Sequence, residues 1–183
     1  MSTLHGTTVG FIGLGSMGKH MAQRIKSAGA TTYAYHDLPA MRYEIARAGI
    51  NLCTSPSEIA GKTAAGIIIL MLRNAEDVDT VLQGEASLME HLAAGTLIID
   101  MGQTAVVDTK NYATLARSKG ARWLDAPMNG DEAAADKGAL EIIVGGRTED
   151  YERALPILQC LAHKVSHEGD IGAGQSQVLA LQN

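Results

Sequence analysis

Short apolar runs alternate along the chain with longer segments in which apolar residues recur at helical spacing. The runs have the length of buried strands, and the segments between them have the length of helices. This alternation is typical of βαβ units, in which helices connect parallel strands. The predicted strands are Thr7–Ile12, Thr31–Tyr35, Gly66–Leu72, Leu97–Asp100, Arg122–Leu124, Leu140–Val144 and Lys164–His167.

Capping and stop signals mark the boundaries of the predicted helices. Pro39 lies in the first turn of one helix, and Gly49 and Gly120 follow the last turns of two helices. The predicted helices are His20–Ala28, Pro39–Ala48, a short capped helix at Ser55–Glu58, Asn74–Leu82, Ala86–Ala93, Val106–Lys119, Glu132–Lys137 and Glu149–Leu161. Together these elements predict an α/β fold with a doubly wound, mostly parallel sheet, whose ligand lies over the carboxyl ends of the strands.

The composition narrows the class of protein. A chain of 183 residues buries roughly 70% of the surface of its unfolded form, so the fold needs no disulfide or metal. The net charge of −5 and the lack of a basic cluster argue against nucleic acid and anionic membranes as partners. The longest apolar run, Ala64–Leu72, is too short to span a bilayer.

Cys53 and Cys160 are expected to be buried, reduced thiols, which fits a cytoplasmic protein. His163 and His167 have metal-compatible spacing but no third ligand, so no metal site is predicted.

A glycine-rich hexapeptide lies between the first predicted strand and the first predicted helix. Gly13 lets the chain turn, Gly15 lets backbone approach a pyrophosphate, and Gly18 lets the helix pack closely on the strand. The helix N-terminus then presents N–H groups to the anion. Asp37 lies nineteen positions after Gly18, where this fingerprint places an acid that binds ribose hydroxyls. The segment therefore predicts a Rossmann-type dinucleotide-binding domain with contacts from Gly13, Leu14, Gly15, Ser16, Met17 and Gly18.

Asp37 also bears on the choice of cofactor. A carboxylate accepts hydrogen bonds from a ribose diol and repels a 2′-phosphate, which favours NAD over NADP. His36 adjoins Asp37, and both are predicted to contact the cofactor. Because Arg42 lies one helical turn into the next segment, NADP remains an alternative.

Further motifs, taken with the glycine-rich turn, resemble one enzyme family over nearly the whole chain. The matching motifs are Val9–Gly18 with Met21-Ala22, Met71-Leu72 with Asn74, Ile99-Asp100-Met101, Asp125-Ala126-Pro127, Ala135 with Gly138 and Leu140, Val144-Gly145-Gly146, and Gly169–Gln175. The family they resemble is the β-hydroxyacid dehydrogenases, the group around 3-hydroxyisobutyrate dehydrogenase and tartronate semialdehyde reductase that is related to 6-phosphogluconate dehydrogenase.

The resemblance implies hydride transfer between nicotinamide C4 and a carbinol carbon of a small-molecule substrate. It adds Met71, Leu72, Asn74 and Gln103 to the predicted cofactor contacts. In the family an all-α domain follows, closes the substrate cleft and forms the dimer, so a homo-oligomer is expected. The predicted division is a dinucleotide-binding domain at 1–171 and the start of the interdomain helix at 172–183, with the family's all-α domain absent.

The family's catalytic lysine does not carry over to this chain. Counting from Gly172 and Gly174, its position is taken by Val178, which has no proton to give. The asparagine that follows in the family corresponds to Leu181. Gln182 lies one turn from Val178 and is a predicted substrate-binding residue, but its amide does not titrate near neutral pH.

The predicted substrate contacts also differ from the family pattern. Gly102 and Gln103 stand where the family has two hydroxyl side chains, and Asn129, Gly130 and Asp131 stand where it has Ser-Gly-Gly. Asp131 admits two interpretations. Beside a substrate carboxylate its charge would cost about 1–4 kcal/mol, which favours a neutral carbonyl or a cationic imine of the kind that related, lysine-less imine reductases reduce. Alternatively, Asp131 caps the helix that follows it and faces solvent.

Two functional hypotheses follow from these residues. In the first, the protein is an NAD(P)-dependent oxidoreductase of the β-hydroxyacid dehydrogenase type with altered or reduced chemistry. In the second, it is a non-catalytic homologue that binds the nucleotide as a structural or sensing ligand. Val178 favours the second hypothesis, whereas the cofactor motifs fit both.

Overall fold

A mostly parallel sheet forms the centre of the computed structural model, which describes residues 3–181. The strands are β1 (Thr8–Ile12), β2 (Thr31–Tyr35), β3 (Asn51–Leu52), β4 (Ile67–Leu70), β5 (Leu97–Asp100), β6 (Arg122–Asp125), β7 (Met128–Asn129), β8 (Leu140–Gly145) and β9 (Ala162–Gly169). Six of them run in the order β3-β2-β1-β4-β5-β6, and every neighbouring pair among these six is parallel. The predicted doubly wound, mostly parallel fold is therefore confirmed.

The strand β8 reverses the direction of the sheet. It pairs antiparallel with β6 at Gly145–Asp125 and with β7 at Ile142–Met128, so β6 and β7 form one interrupted ladder along the same side of β8. The strand β9 pairs parallel with β8 on its other side.

Helices cover both faces of the sheet because successive strand residues point to opposite sides. Phe11 and Ile69 enter one hydrophobic core, and Ile12 and Leu70 enter the other. The helices are α1 (Ser16–Ser27), α2 (Pro39–Arg47), α3 (Pro56–Lys62), α4 (Ala75–Gln83), α5 (Leu88–His91), α6 (Val106–Ser118), α7 (Glu132–Lys137), α8 (Thr148–Leu161) and α9 (Ala173–Leu181). The first core includes residues of α1 and α8, and the second includes residues of α3, α4, α5 and α6.

Most elements lie within a few residues of their predicted bounds, with four differences. The helix α3 continues to Lys62 rather than ending at Glu58. The helix α1 begins at Ser16 rather than His20, because the glycine-rich turn leads directly into it. The sequence pattern does not predict β3 and β7, since two residues are too few to show a periodicity. The predicted strand Gly66–Leu72 is shortened to the four buried residues of β4. The division of the chain at residue 171 stays a prediction.

The two cysteines differ in burial. Cys53 is buried and Cys160 is half-buried, so the expectation of a buried thiol is correct for the first and only partly correct for the second. Burial raises the pKa of the Cys53 thiol to about 11, which keeps it protonated near neutral pH. Between residues 3 and 181, no helix combines the length and the apolar character that crossing a bilayer requires.

The position of β1 creates the crevice in which doubly wound sheets bind ligands. Since β1 lies between β2 and β4, the chain leaves it to one side for β2 and later returns to its other side for β4. The carboxyl ends of β1 and β4 therefore flank the point where the strand order reverses. The glycine-rich turn follows β1 at this point.

Candidate functional site

Packing requires two of the three glycines in the turn after β1. Gly13 has a φ of +95°, and a Cβ there would lie 2.2 Å from the carbonyl oxygen of Met71 at the end of β4. A Cβ at Gly18 would lie 2.2 Å from the carbonyl oxygen of Gly13. Both distances are far shorter than a van der Waals contact, so any side chain at either position would displace backbone.

Gly15 has a different environment from the other two glycines. A Cβ at this position would meet no atom within 4 Å, and the residue is exposed. Gly15 is the N-cap of α1, whose first turn carries no acidic side chain. Helix geometry leaves the N–H groups of Ser16, Met17 and Gly18 without intrahelical partners. The turn is thus an open backbone cradle with positive helix-dipole character, which suits a pyrophosphate.

A cavity of about 430 Å³ opens beside this cradle at the point where the strand order reverses. Its size falls within the range of small-molecule and cofactor sites. It brings together six predicted cofactor contacts, namely Gly13, Gly15, His36, Asp37, Met71 and Leu72. The other lining residues are Ile12, Tyr35, Leu38, Pro56, Arg73, Asp77, Thr80, Val81 and Glu85.

The end of β2 supplies one wall of this cavity. The Asp37 carboxylate accepts a hydrogen bond from the Leu38 N–H at 3.1 Å and lies 3.1 Å from His36 Nδ1. Arg42 Nε donates to the His36 carbonyl at 3.0 Å, and its guanidinium lies 6.0 Å from the centre of the Tyr35 ring. The Asp37 side chain is 66% exposed, so its carboxylate is available to a ligand in the cavity.

The start of α4 supplies the opposite wall. Arg73 makes a bidentate pair with Asp77, with Nε–Oδ2 and Nη2–Oδ1 distances of 2.8 and 3.1 Å. The Arg73 guanidinium holds the pKa of Asp77 below its usual range. Asn74 caps α4 by accepting the Asp77 N–H at 2.9 Å. The side chain of this predicted cofactor contact is therefore committed to the helix, and its neighbours Arg73 and Asp77 line the cavity instead.

Two buried carboxylates lie at the carboxyl ends of β5 and β6. Asp100 accepts hydrogen bonds from the Gly102 N–H at 3.1 Å and from the Thr104 hydroxyl at 2.8 Å. Asp125 accepts the N–H groups of Gly172 and Gln175 at 2.7 and 3.0 Å. Burial raises the pKa of Asp100 to about 7, and the charge of Asp125 acts in the same direction. The loop after β5 and the start of α9 are thus each fixed by a carboxylate.

Among the described residues, the predicted substrate contacts before Asp131 fall into two separate groups. Gly102 is buried and Gln103 is exposed in the loop after β5. Asn129 is exposed at the end of β7, and Gly130 follows it with a φ of +139°. Neither group lines the 430 Å³ cavity. Gln182 lies outside the described residues.

Asp131 and Val178, the two residues that depart most from the family pattern, lie in different surroundings: one is exposed and the other is buried. The Asp131 carboxylate accepts the Ala134 N–H at 2.8 Å and caps α7, and the residue is exposed. This geometry matches the capping interpretation. Val178 lies on α9 and is 6% exposed, so an apolar side chain is packed at the position of the family's lysine.

The remaining predicted cofactor residues lie around the turn itself. The Leu14 side chain is buried in the core, and Met17 packs against the same core. Ser16 is exposed in the first turn of α1.

A larger cavity, of about 540 Å³, lies away from the glycine-rich turn between α1 and α8. Two of its charged or titratable side chains, His20 and Arg24, are paired with other protein groups. His20 lies 3.0 Å from both Asp136 and Glu132, and Arg24 donates to the carbonyls of Cys160 and Asp136. We assign the candidate site to the smaller cavity because only that one adjoins an open backbone cradle.

The two histidines with metal-compatible spacing make separate contacts. His163 Nδ1 lies 2.8 Å from the Ala139 carbonyl, and His167 Nε2 lies 2.7 Å from the Gly146 carbonyl. The His167 ring also stacks on Tyr151 at 4.7 Å. Across the described part of the chain, no group of three or more His, Cys, Asp or Glu side chains is arranged to hold a metal ion.

Several residues that line the cavity are not among the cofactor contacts predicted from the sequence. Leu38 and Arg73 each lie three residues after the end of a strand, β2 and β4 respectively, and this position near a strand end is the signal that could have identified them. The i,i+4 spacing of Arg73 and Asp77 likewise predicts a helix-surface pair. Thr80 and Val81 reach the cavity only because α4 folds over it, which no local pattern indicates.

Comparison with known proteins places this architecture among dinucleotide-binding domains. The family described as the NAD binding domain of 6-phosphogluconate dehydrogenase matches residues 8–169. A 2-(hydroxymethyl)glutarate dehydrogenase from Eubacterium barkeri is 35% identical over 168 residues, which make up 92% of this chain and 55% of that protein. The chain thus spans about half the length of the curated relatives it matches.

Solved structures of dehydrogenases and reductases share the fold of this chain. A 3-hydroxyisobutyrate dehydrogenase from Mycobacterium tuberculosis, solved with L-serine, superposes with a TM-score of 0.89 at 31% identity, covering 96% of this chain and 58% of that one. A variant imine reductase from Myxococcus stipitatus in complex with NAD+ has a TM-score of 0.87 at 21% identity, covering 96% and 60%. At that identity the likeness to the imine reductase concerns the fold alone.

Proposed function

The chain belongs to the family of the NAD-binding domain of 6-phosphogluconate dehydrogenase, and from this premise we propose that it is the cofactor-binding part of an NAD(P)-dependent oxidoreductase. The proposed substrate class is a small carbonyl or hydroxy compound, or an imine, as in β-hydroxyacid dehydrogenases and their relatives. The proposed cofactor is NAD, with NADP as the alternative.

The environment of Gly15 is the observation that carries this proposal. Gly13 and Gly18 are needed by the protein's own packing, whereas the space around Gly15 is filled by no protein atom. A glycine that packing does not require, placed at a helix N-terminus beside a cavity, is what close approach to a pyrophosphate demands.

The proposed roles of the other residues follow from their positions. Asp37, 66% exposed at the cavity wall, would accept hydrogen bonds from a ribose diol. Met71 and Leu72 would cover the cofactor from the end of β4. The nicotinamide, when bound, supplies a hydride donor or acceptor that no protein side chain can provide. Gly102, Gln103, Asn129 and Gly130 remain proposed substrate contacts, as does Gln182 beyond the described residues.

A second proposed function is nucleotide binding without catalysis. Val178 favours it, because an almost fully buried valine can neither hold nor release a proton at the position of the family's lysine. General acid–base help contributes roughly 10²–10⁴ in rate, so its loss would leave little turnover.

Calorimetric titration combined with an activity assay tests both proposals. Titration with NADH and NADPH is expected to show binding, with NADH bound more tightly. Turnover of a panel of small 3-hydroxy acids, carbonyls and imines would support the oxidoreductase, and tight binding without turnover would support the non-catalytic homologue. Failure to bind either nucleotide would refute both. A homo-oligomer and a cytoplasmic location also remain proposals, which sedimentation and cell fractionation test.

A further inference from the structure

Gln175 connects α9, which carries Val178, to the loop after β5, which holds the predicted substrate contact Gly102. Its side-chain Nε2 donates a hydrogen bond of 2.8 Å to the carbonyl of Gly102, which lies in the loop after β5. Gln175 itself lies in the first turns of α9 and is 2% exposed. A buried amide that loses such a partner has no water to replace it, so this bond is costly to break.

The helix end of this connection is fixed to the sheet. Asp125, fully buried at the end of β6, accepts the N–H groups of Gly172 and Gln175. Neighbouring glycines make room for its carboxylate: a Cβ at Gly145 would lie 2.6 Å from Asp125 Oδ1, and one at Gly174 would lie 3.0 Å from Oδ2. The start of α9 therefore cannot shift without disturbing a buried, charge-assisted contact.

The loop end of the connection reaches the cofactor cavity. The Gly102 N–H donates to Asp100, and a Cβ at Gly102 would lie 2.6 Å from the carbonyl oxygen of Leu72. Leu72 lines the cavity. A continuous set of packed and hydrogen-bonded groups thus runs from the cavity wall through Gly102 and Gln175 to α9.

We propose that Gln175 is a positioning residue that couples occupancy of the cofactor cavity to the placement of α9. Val178 lies three residues further along this helix, on the same side, and its position follows that of Gln175. A ligand that orders Leu72 then also orders the loop of Gly102 and, through Gln175, the start of α9. The inference rests on the proposed function, because a nucleotide must enter the cavity.

Hydrogen exchange tests this coupling directly. The backbone amides at positions 172 and 175 donate to Asp125, so their exchange rates report the order of the start of α9. They would be measured by NMR with and without saturating NADH in wild type, Gln175→Met and Gln177→Met. Methionine keeps the length of glutamine but cannot donate, and Gln177 is an exposed glutamine on the same helix.

NADH is expected to slow exchange at both amides by about fivefold or more in wild type and in Gln177→Met. In Gln175→Met the slowing should disappear, although calorimetry should still detect NADH binding. Slowing that persists in Gln175→Met, or wild type that binds NADH without any change at these amides, would overturn the coupling and leave the proposed function intact. Wild type that does not bind NADH would overturn both. If Gln175→Met does not fold, Gln175→Leu, which also has no hydrogen-bond donor, is measured in its place against the same expectation.

Discussion

Asp100 and Asp125 occupy paired positions at the carboxyl ends of two neighbouring parallel strands, and neither residue has any exposed surface. Each carboxylate is satisfied by different groups, Asp100 by the loop that follows it and Asp125 by the start of α9. Burial and the charge of Asp125 both raise the pKa of Asp100. The hydrogen bonds that hold the loop after β5 therefore involve a carboxyl group that titrates near neutral pH.

Replacing Asp100 by asparagine should change how stability depends on pH. The pKa of Asp100 is raised from 3.8 to about 7, so between these values the folded protein holds a proton that the unfolded chain has lost. The free energy of unfolding therefore falls as pH rises through this window, by up to about 4 kcal/mol in total. Urea titrations from pH 4 to pH 8 should show this decline in wild type and a flatter profile in Asp100→Asn.

Asp170→Asn, at an exposed position near α9, is the control for this measurement and should follow wild type. Equal pH profiles for wild type and Asp100→Asn would mean that Asp100 is ionised in the folded protein throughout the range.

Gly15→Val should abolish nucleotide binding without unfolding the protein. No atom lies within 4 Å of a Cβ at Gly15, so the valine side chain fits the fold but occupies the space of the proposed pyrophosphate. We expect a melting temperature close to that of wild type and a Kd for NADH at least about tenfold higher. Gly61→Val is the matched control, since a Cβ at Gly61 also meets no atom within 4 Å but lies outside the cavity lining. Equal affinities of the two variants would refute the assignment of the cradle.

The sequence predicts those parts of the site that are encoded locally. The strand, the glycine-rich turn and α1 follow one another along the chain, so motif and periodicity together identify them. The roles of Asp100 and Asp125 are not encoded in this way, because they depend on which strands become neighbours. Gln175 and Gly102 are 73 positions apart, and only the folded chain brings them together. The sequence correctly placed Asp37 at the end of β2 but could not indicate that Arg42 binds the neighbouring His36 carbonyl.

Asp37→Ser should shift cofactor preference towards NADP. Removing the carboxylate removes its repulsion of a 2′-phosphate, while Arg42 and His36 remain beside the vacated space. Calorimetry should show the ratio of NADPH to NADH affinity rising by about tenfold or more. Asp79→Ser, at an exposed position on α4 that does not line the cavity, should leave the ratio unchanged. An unchanged ratio in Asp37→Ser would show that the carboxylate does not face the ribose.

Two substitutions at Asp131 distinguish its role as the N-cap of α7 from an effect of its negative charge on substrate binding. Asparagine is as good an N-cap as aspartate, so Asp131→Asn should keep the stability of wild type, whereas Asp131→Ala should lose about 1 kcal/mol. If the charge also faces the substrate, Asp131→Asn alone should improve turnover or binding of carboxylate-bearing substrates. Chemical denaturation and a comparison of 3-hydroxy acids with neutral alcohols measure these effects. A stability loss in Asp131→Asn equal to that in Asp131→Ala would contradict the capping role.

Restoring a lysine by Val178→Lys should give little activity. Val178 is 6% exposed, so the ammonium group would be desolvated, which costs stability and lowers its affinity for a proton. We expect Val178→Lys to unfold at lower denaturant concentration than wild type, whereas Gln177→Lys, on the exposed side of the same helix, should match wild type. NADH formation with a panel of small 3-hydroxy acids should be slow or absent in all three proteins. Brisk turnover by wild type would refute the view that Val178 disables the family's chemistry. Strong rescue by Val178→Lys would instead show that the loop of Gly102 and the helix α9 already form a working site that lacks only its proton donor.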